Sequence, residues 1–284
     1  MAETLTIDRS ELADTAQPRQ LAHLIIDQIA AQRSDFLPLQ IEEVARACGI
    51  LEIRTLQTEG FEGGLIQDRY KENGFILTKA GVTAQRNRFT IAHELGHFVN
   101  FRHVAPAGSD RFLCSKDDLR ASGQSSNVRY GMEAQANDFA ACLLMPEKYV
   151  VRQPFMRGSP ELARILALQE LCNVSKEAAA RKYAELHGDN FAVVFSRNCE
   201  LIYAIRGGDF PWLELRPGQP IFRDTTTKNF VGEEGDLSEQ EESDPYWWLN
   251  DRDAKEWTLW EEVLIQANGY RMTLLVGEQE DSDD

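Results

Sequence analysis

Between Gln17 and Gln32 apolar side chains recur at Leu21, Leu24, Ile25 and Ile29, the spacing of one helix face, until Asp35-Phe36-Leu37-Pro38 interrupts the pattern. A second helix is predicted after Pro38, with Ile41, Val44, Ala45 and Cys48 on one side and Gly49 as its stop. From Leu51 to Ala80 the period shortens. Leu51 to Leu56, Gly64 to Gln67 and Gly74 to Thr78 read as strands of a small antiparallel sheet, with a turn at Tyr70 to Gly74. Helical spacing then returns from about Thr83 to Arg102 and again from about Met132 to Leu144, where Pro146 closes it.

Beyond Pro146 one or two more helices are predicted, the clearer from Ser175 to Leu186 and stopped by Gly188. Phe191 to Phe195 and Leu201 to Ile205 pattern as a β-hairpin. A second hairpin, Val263 to Gln266 with Tyr270 to Val276, is built around Asn268-Gly269, a dipeptide that readily adopts the positive φ of tight turns. The acidic stretch Gly232 to Asp244 reads as a mobile loop and Glu278 to Asp284 as a solvated tail.

With 284 residues, 43% of them hydrophobic, the chain can bury a core in one large domain or two ordinary ones. It lacks any run of about 18 apolar residues, roughly what a membrane span needs. Its first nine residues, Met1 to Arg9, show neither a basic nor an apolar leader region, so the expected compartment is the cytoplasm. The cysteines, Cys48, Cys114, Cys142, Cys172 and Cys199, are odd in number and widely spaced, which fits reduced, buried thiols and neither a disulfide framework nor a cysteine metal site. A formal charge of -16 has the wrong sign for gripping phosphates and excludes direct nucleic-acid binding, while it complements a basic protein partner.

The chemistry concentrates at His93-Glu94-Leu95-Gly96-His97. On a helix, positions four apart lie one turn apart on the same face, so both imidazoles can reach one metal ion. Glu94, rotated by about 100°, borders that face and can act on a water without ligating. Gly96 permits close approach of a neighbouring backbone. A third ligand has two candidates. His103 completes a His-Glu-x-x-His-x-x-Asn-x-x-His spacing, but with Asn100 where a glycine usually turns the chain, and a continuing helix would carry it out of reach. Glu133 shares a helix face with Asn137, whose amide can accept a hydrogen bond from a ligand histidine's other nitrogen.

The blocks Arg88-Phe89-Thr90-Ile91-Ala92-His93-Glu94-Leu95-Gly96-His97 and Glu133-Ala134-Gln135-Ala136-Asn137, continuing to Met145-Pro146, resemble the ImmA/IrrE family of metallopeptidases over about Pro38 to Leu186. The resemblance implies that His93, His97 and Glu133 bind Zn2+ and that Glu94 is catalytic. It also implies a protein substrate, a helix-turn-helix DNA-binding repressor inactivated by cleavage. Tyr130 is a lesser candidate for oxyanion stabilisation, a packed or surface tyrosine being the ordinary alternative. The resulting expectation is an α+β fold. A zincin-like metallopeptidase domain at 1-150, with a small antiparallel sheet and the active-site helices, precedes a C-terminal α/β region of helices and β-hairpins at 151-284. That second region selects the partner or regulates access, and its single histidine, His187, sits at a helix end and supplies no ligand. Tyr246-Trp247-Trp248, Trp257 and Trp260 read as packing or as a recognition surface. The competing function is a non-proteolytic zinc-binding sensor or interaction module, for which Glu94 would be superfluous.

Overall fold

The computed structural model describes residues 4–104, 111–114 and 128–279. The chain divides into two compact units, Met1–Val150 together with Glu170–Ser175, and Val151–Gln169 together with Lys176–Asp284. Helices and sheets occur in both, so the class is α+β.

In the first unit α1 (Pro18–Gln32) starts on a proline at its first turn, where the missing N–H is no loss, and buries Leu21, Ala22, Ile25, Ile26 and Ile29. Helix α2 (Ile41–Ala47) stops at Gly49, whose φ of +105° favours glycine; a Cβ there would also lie 2.8 Å from the Glu72 carbonyl oxygen. Strands β1 (Ile50–Leu56), β2 (Gly63–Gln67), β3 (Gly74–Lys79) and β4 (Arg111–Cys114) form a sheet in the order β1-β3-β2-β4. The sheet is mixed and not antiparallel throughout, because β1 pairs with β3 in parallel. The six-residue link from β1 to β2 passes over the place that β3 later fills, while the tight turn after β2, held by the Asp68 carboxylate on the Tyr70, Glu72 and Asn73 amides, makes β2 and β3 a hairpin. Both β2 and β3 therefore have neighbours on each side, and among the described residues the outer strands of this sheet are β1 and β4.

Helix α3 (Ala84–Val99) begins at Thr83, whose hydroxyl accepts from the Arg86 amide at 3.2 Å. It ends three residues before the predicted Arg102. Asn100 leaves the helical region with ψ of 107°, its side-chain oxygen accepts from the Arg102 amide at 3.0 Å, and its Nδ2 donates to the Ala16 carbonyl at 3.0 Å. Lys71 donates from Nζ to the carbonyls of His97 and Asn100, both at 2.7 Å, placing a cation at the negative end of the helix. Burial, then the Arg9 guanidinium, push the Lys71 ammonium down to about 8. Helix α4 (Val128–Leu144) starts four residues ahead of the predicted Met132, and α5 (Glu147–Val150) follows Pro146. At the crossing of α3 and α4, a Cβ on Gly96 would stand 2.9 Å from Phe139 Cδ1 and 3.4 Å from the Ala136 backbone. Arg88 of α3 donates to the carbonyls of Asn173 at 3.2 Å and Cys172 at 3.4 Å, tying residues 170–175 into this unit.

The second unit takes most of α6 (Leu162–Cys172), then α7 (Lys176–Leu186), and builds a five-stranded antiparallel sheet in the order β6-β5-β9-β8-β7. Its strands are β5 (Phe191–Arg197), β6 (Glu200–Gly207), β7 (Glu241–Ser243), β8 (Trp257–Ile265) and β9 (Tyr270–Gln279), with α8 (Thr226–Asn229) between β6 and β7. Asn268 at φ +57° and Gly269 at +75° turn β8 into β9 at the Asn-Gly dipeptide. Trp248 and Trp257 lie in the core with Phe210 and Leu259, and Trp247 packs against it; Tyr246 is half exposed. The acidic stretch predicted to be a mobile loop is instead pinned to β8: β7 pairs with Leu259 to Glu261, and the Gly235 and Ser238 amides donate to Ile265 and Val263 at 3.0 and 2.9 Å. Its hydrogen bonds are made by the backbone, which composition does not reveal. One acidic side chain of β8, Glu261, is fully buried because it accepts from the Thr226 and Thr227 amides and from the Thr227 and Ser243 hydroxyls. The predicted tail overlaps β9 as far as Gln279, and its remaining residues lie outside the described ones. Among the described residues no helix is long and apolar enough to cross a membrane.

The α3–α4 crossing yields a first expectation. Gly96→Val must displace the Phe139 ring and costs about 1–3 kcal/mol, which a denaturant titration reads as a lower midpoint at unchanged slope. An unaltered midpoint would mean that the two helices do not need glycine to meet.

Candidate metal centre

His93 and His97 both lie fully buried on α3, one turn apart, with ring centroids 4.9 Å apart. The 3.2 Å between their Nε2 atoms shows both rings turned toward one point. Helix α4 brings Glu133 to the same point, its Oε2 3.1 Å from His93 Nε2 and 3.3 Å from His97 Nε2. This approach needs a small residue at the crossing, which is where Gly96 sits. Among the described residues these three form the one group of His, Cys, Asp or Glu side chains close enough to share a metal ion.

The chemistry of the set matches a small divalent cation. Asn137, one turn after Glu133, presents Oδ1 2.9 Å from His93 Nδ1. A carbonyl oxygen only accepts, so Nδ1 carries the proton and Nε2 is a bare lone pair. That lone pair faces a carboxylate oxygen and a second imidazole nitrogen across 3.1 and 3.2 Å. A cation between them would relieve the repulsion. Ligands bound at about 2.0–2.1 Å in a tetrahedron stand roughly 3.3–3.4 Å apart, close to the observed triangle.

Protonation states agree with a ligand role. Burial pushes the His97 imidazole down to about 3 against the partial opposition of Glu133, so the ring is neutral. Burial also pushes His103 down to about 4, with Gln135 opposing. For Glu133 burial disfavours the charge, while its contacts with His93 and His97, where a proton or a cation can lie between the facing atoms, outweigh it and hold the carboxyl below the usual range. A neutral His97 imidazole and an ionised Glu133 carboxylate are the forms that bind metal.

Glu94 is fully buried beside His93, and its carboxylate abuts β2: a Cβ on Gly63 would fall 2.6 Å from Glu94 Oε1 and 2.4 Å from Thr90 Cγ2. Only a glycine lets the strand run so near that side chain. His103, the other candidate ligand, is turned back by the Asn100 bend, but to the far side of His97, where Nδ1 meets Nδ1 at 3.0 Å. It is not grouped with the three converging donors. The side chain of Tyr130 lies outside the described residues. His187 is in the second unit, donating from Nε2 to the Gly158 carbonyl at 3.0 Å while its Nδ1 accepts from the Asp189 amide at 3.3 Å. Sequence reasoning missed Gly63 and Lys71; a glycine starting a β-strand was the only available signal, and nothing marked Lys71 as a helix cap.

Residues 50–183 match the family model Peptidase_M78, described as an IrrE N-terminal-like domain. Over 108 residues the chain is 29% identical to the radiation response metalloprotease IrrE of Deinococcus radiodurans, covering 38% of this chain and 30% of that protein. The chain thus aligns with under a third of that relative's length. A solved structure of a Mycobacterium tuberculosis transcriptional regulator shares the fold over 94% of this chain and 80% of that one, with a TM-score of 0.53 at 12% identity.

The buried, neutral His97 sets the response of the metal-free protein to pH. In the unfolded chain the ring protonates near 6.5, in the fold only near 3, so between these values the unfolded state holds more protons and stability falls as pH drops below about 6.5. Thermal melts of chelator-treated protein from pH 8 to pH 5 should show a falling midpoint, with a shallower fall in His97→Phe. A flat profile would contradict the neutral buried ring.

Proposed function

As residues 50–183 belong to the ImmA/IrrE metallopeptidase family, we propose that the chain is a zinc-dependent endopeptidase acting on a regulatory protein of the helix-turn-helix repressor class. The observation that carries this reading is the convergence of Glu133 Oε2 from α4 with His93 Nε2 and His97 Nε2 from α3, the helix that also carries Glu94, all within 3.3 Å of one another. Two imidazoles and one carboxylate are the protein ligand set of a catalytic zinc, which leaves a position open to water or substrate. Bound there, zinc supplies Lewis acidity toward water and the scissile carbonyl.

The rest falls to the chain. Glu94 takes the proton from the attacking water on a carboxylate oxygen and passes it to the departing amine, so no covalent intermediate with the protein forms. Gly63 keeps that carboxylate against β2, and β2 is flanked by β4, beyond which no strand lies among the described residues. An extended substrate segment can add to that edge by backbone hydrogen bonds. The net charge of -16 favours encounter with a basic, DNA-binding substrate. The second unit, with no His, Cys, Asp or Glu group able to hold a metal among its described residues, is the part we assign to partner selection or control of access. A structural zinc in a sensor module would give no use to Glu94, and that residue decides between the two readings.

Two measurements test this. Metal analysis should find about one zinc per chain, lost in Glu133→Ala and kept in His103→Ala at saturating zinc; the reverse pattern would make His103 the ligand. Incubation with any helix-turn-helix protein encoded beside this chain should give a discrete product that chelator abolishes. Glu94→Gln should keep zinc and substrate binding while hydrolysis falls by at least about 10²-fold. Full hydrolysis by that variant, with contaminating proteases excluded, would remove the mechanism.

A further inference from the structure

The bend at Asn100 brings buried His103 back beside His97, where the two Nδ1 atoms are 3.0 Å apart. This contact lies on the ring edge opposite the Nε2 that meets His93 and Glu133. Two imidazole nitrogens at that distance share one proton, so one Nδ1 donates and the other accepts. The remaining nitrogen of His103, Nε2, has Gln135 Oε1 at 3.0 Å and Asn100 Nδ2 at 3.2 Å. Asn100 is held in its orientation by the Ala16 carbonyl and the Arg102 amide.

These partners allow His103 two tautomers. In the first, Nε2 accepts from Asn100 and Nδ1–H donates to His97, whose own proton must then sit on Nε2, among the converging donors. In the second, Nε2–H donates to Gln135 Oε1 and the bare Nδ1 accepts from His97 Nδ1–H, which leaves His97 Nε2 as a lone-pair donor alongside that of His93. Only the second lets all three groups ligate a cation.

We propose that His103 is a positioning residue of the metal site: by accepting from His97 Nδ1–H it holds that ring in the ligating tautomer, and Gln135 selects the required tautomer of His103 by accepting its Nε2 proton. Each ligand histidine then has its own acceptor, Asn137 for His93 and His103 for His97. Such an acceptor fixes both ring orientation and tautomer and raises the basicity of the ligating nitrogen. The inference rests on the reading of His93, His97 and Glu133 as ligands.

The experiment compares zinc affinity, by competition with a chelating indicator, in the full-length chain and in His103→Leu, His103→Asn and Gln135→Leu. Leucine removes the acceptor, whereas the asparagine amide oxygen can take the place of Nδ1. His103→Leu should bind zinc about 10–100-fold more weakly, Gln135→Leu should lose less, and His103→Asn should recover most of the affinity. In ¹⁵N-histidine-labelled wild type loaded with zinc, long-range proton–nitrogen correlations should identify His103 as the Nε2–H tautomer and His97 as the Nδ1–H tautomer. The inference is overturned if His103→Leu, with a wild-type melting point in the metal-free state, binds zinc like wild type, or if His103 is found protonated on Nδ1. Should His103→Leu not fold, the tautomer spectrum of wild type decides. Wild type that binds no zinc removes the functional reading and this inference with it, whereas unchanged binding in His103→Leu removes this inference alone.

Discussion

Electron-pair donors that face one another in a dry interior repel, and the centre of this protein holds three of them within 3.3 Å. Such an arrangement survives only when protons or a cation occupy the space between them, and when the surrounding fold leaves the donors no other orientation. Much of the first unit serves this constraint. Gly96 admits α4 to within side-chain-free distance of α3, Asn137 fixes the far nitrogen of His93, and Lys71 with Asn100 ends α3 at the point where the chain must turn back. Each is a local device, and each would be unnecessary if His93 and His97 faced solvent.

The same interior decides which groups carry charge. Desolvation keeps His97 and His103 uncharged, while a proton or a cation between Glu133 and the facing nitrogens of His93 and His97 keeps Glu133 ionised although it too is buried. The second unit meets the cost of a buried carboxylate differently. Glu261 accepts hydrogen bonds from two backbone amides and two hydroxyls, which offset the loss of water around its oxygens. One carboxylate is therefore set to ligate and the other to brace α8 against the sheet.

What could be read in the sequence was what depends on short-range periodicity. The helical spacing of His93 and His97, the shared face of Glu133 and Asn137, and the Asn-Gly turn between β8 and β9 all follow from residues a few positions apart. Long-range pairing was not legible. The parallel pairing of β1 with β3 depends on a crossover, β4 is four residues long, and β7 sits in a stretch whose acidity suggested a loop. The end of α3 lies between these cases. Residues up to Arg102 continue a plausible helix, and only the tertiary contacts of Asn100 with Ala16 and of Lys71 with the last carbonyls stop it at Val99. That early stop moved His103 from a position pointing away to one against His97, an outcome neither model of the third ligand contained. The family resemblance covered the blocks around both helices and said nothing of this contact.

Burial of the donors also has a kinetic side. His93 and His97 are fully buried and Glu133 nearly so, so the rate at which an ion enters or leaves depends on how readily the surrounding fold opens as well as on the strength of its bonds. Residence time and affinity thereby become separate properties: a substitution that loosens the contact at Gly96 would speed exchange without altering a single ligand.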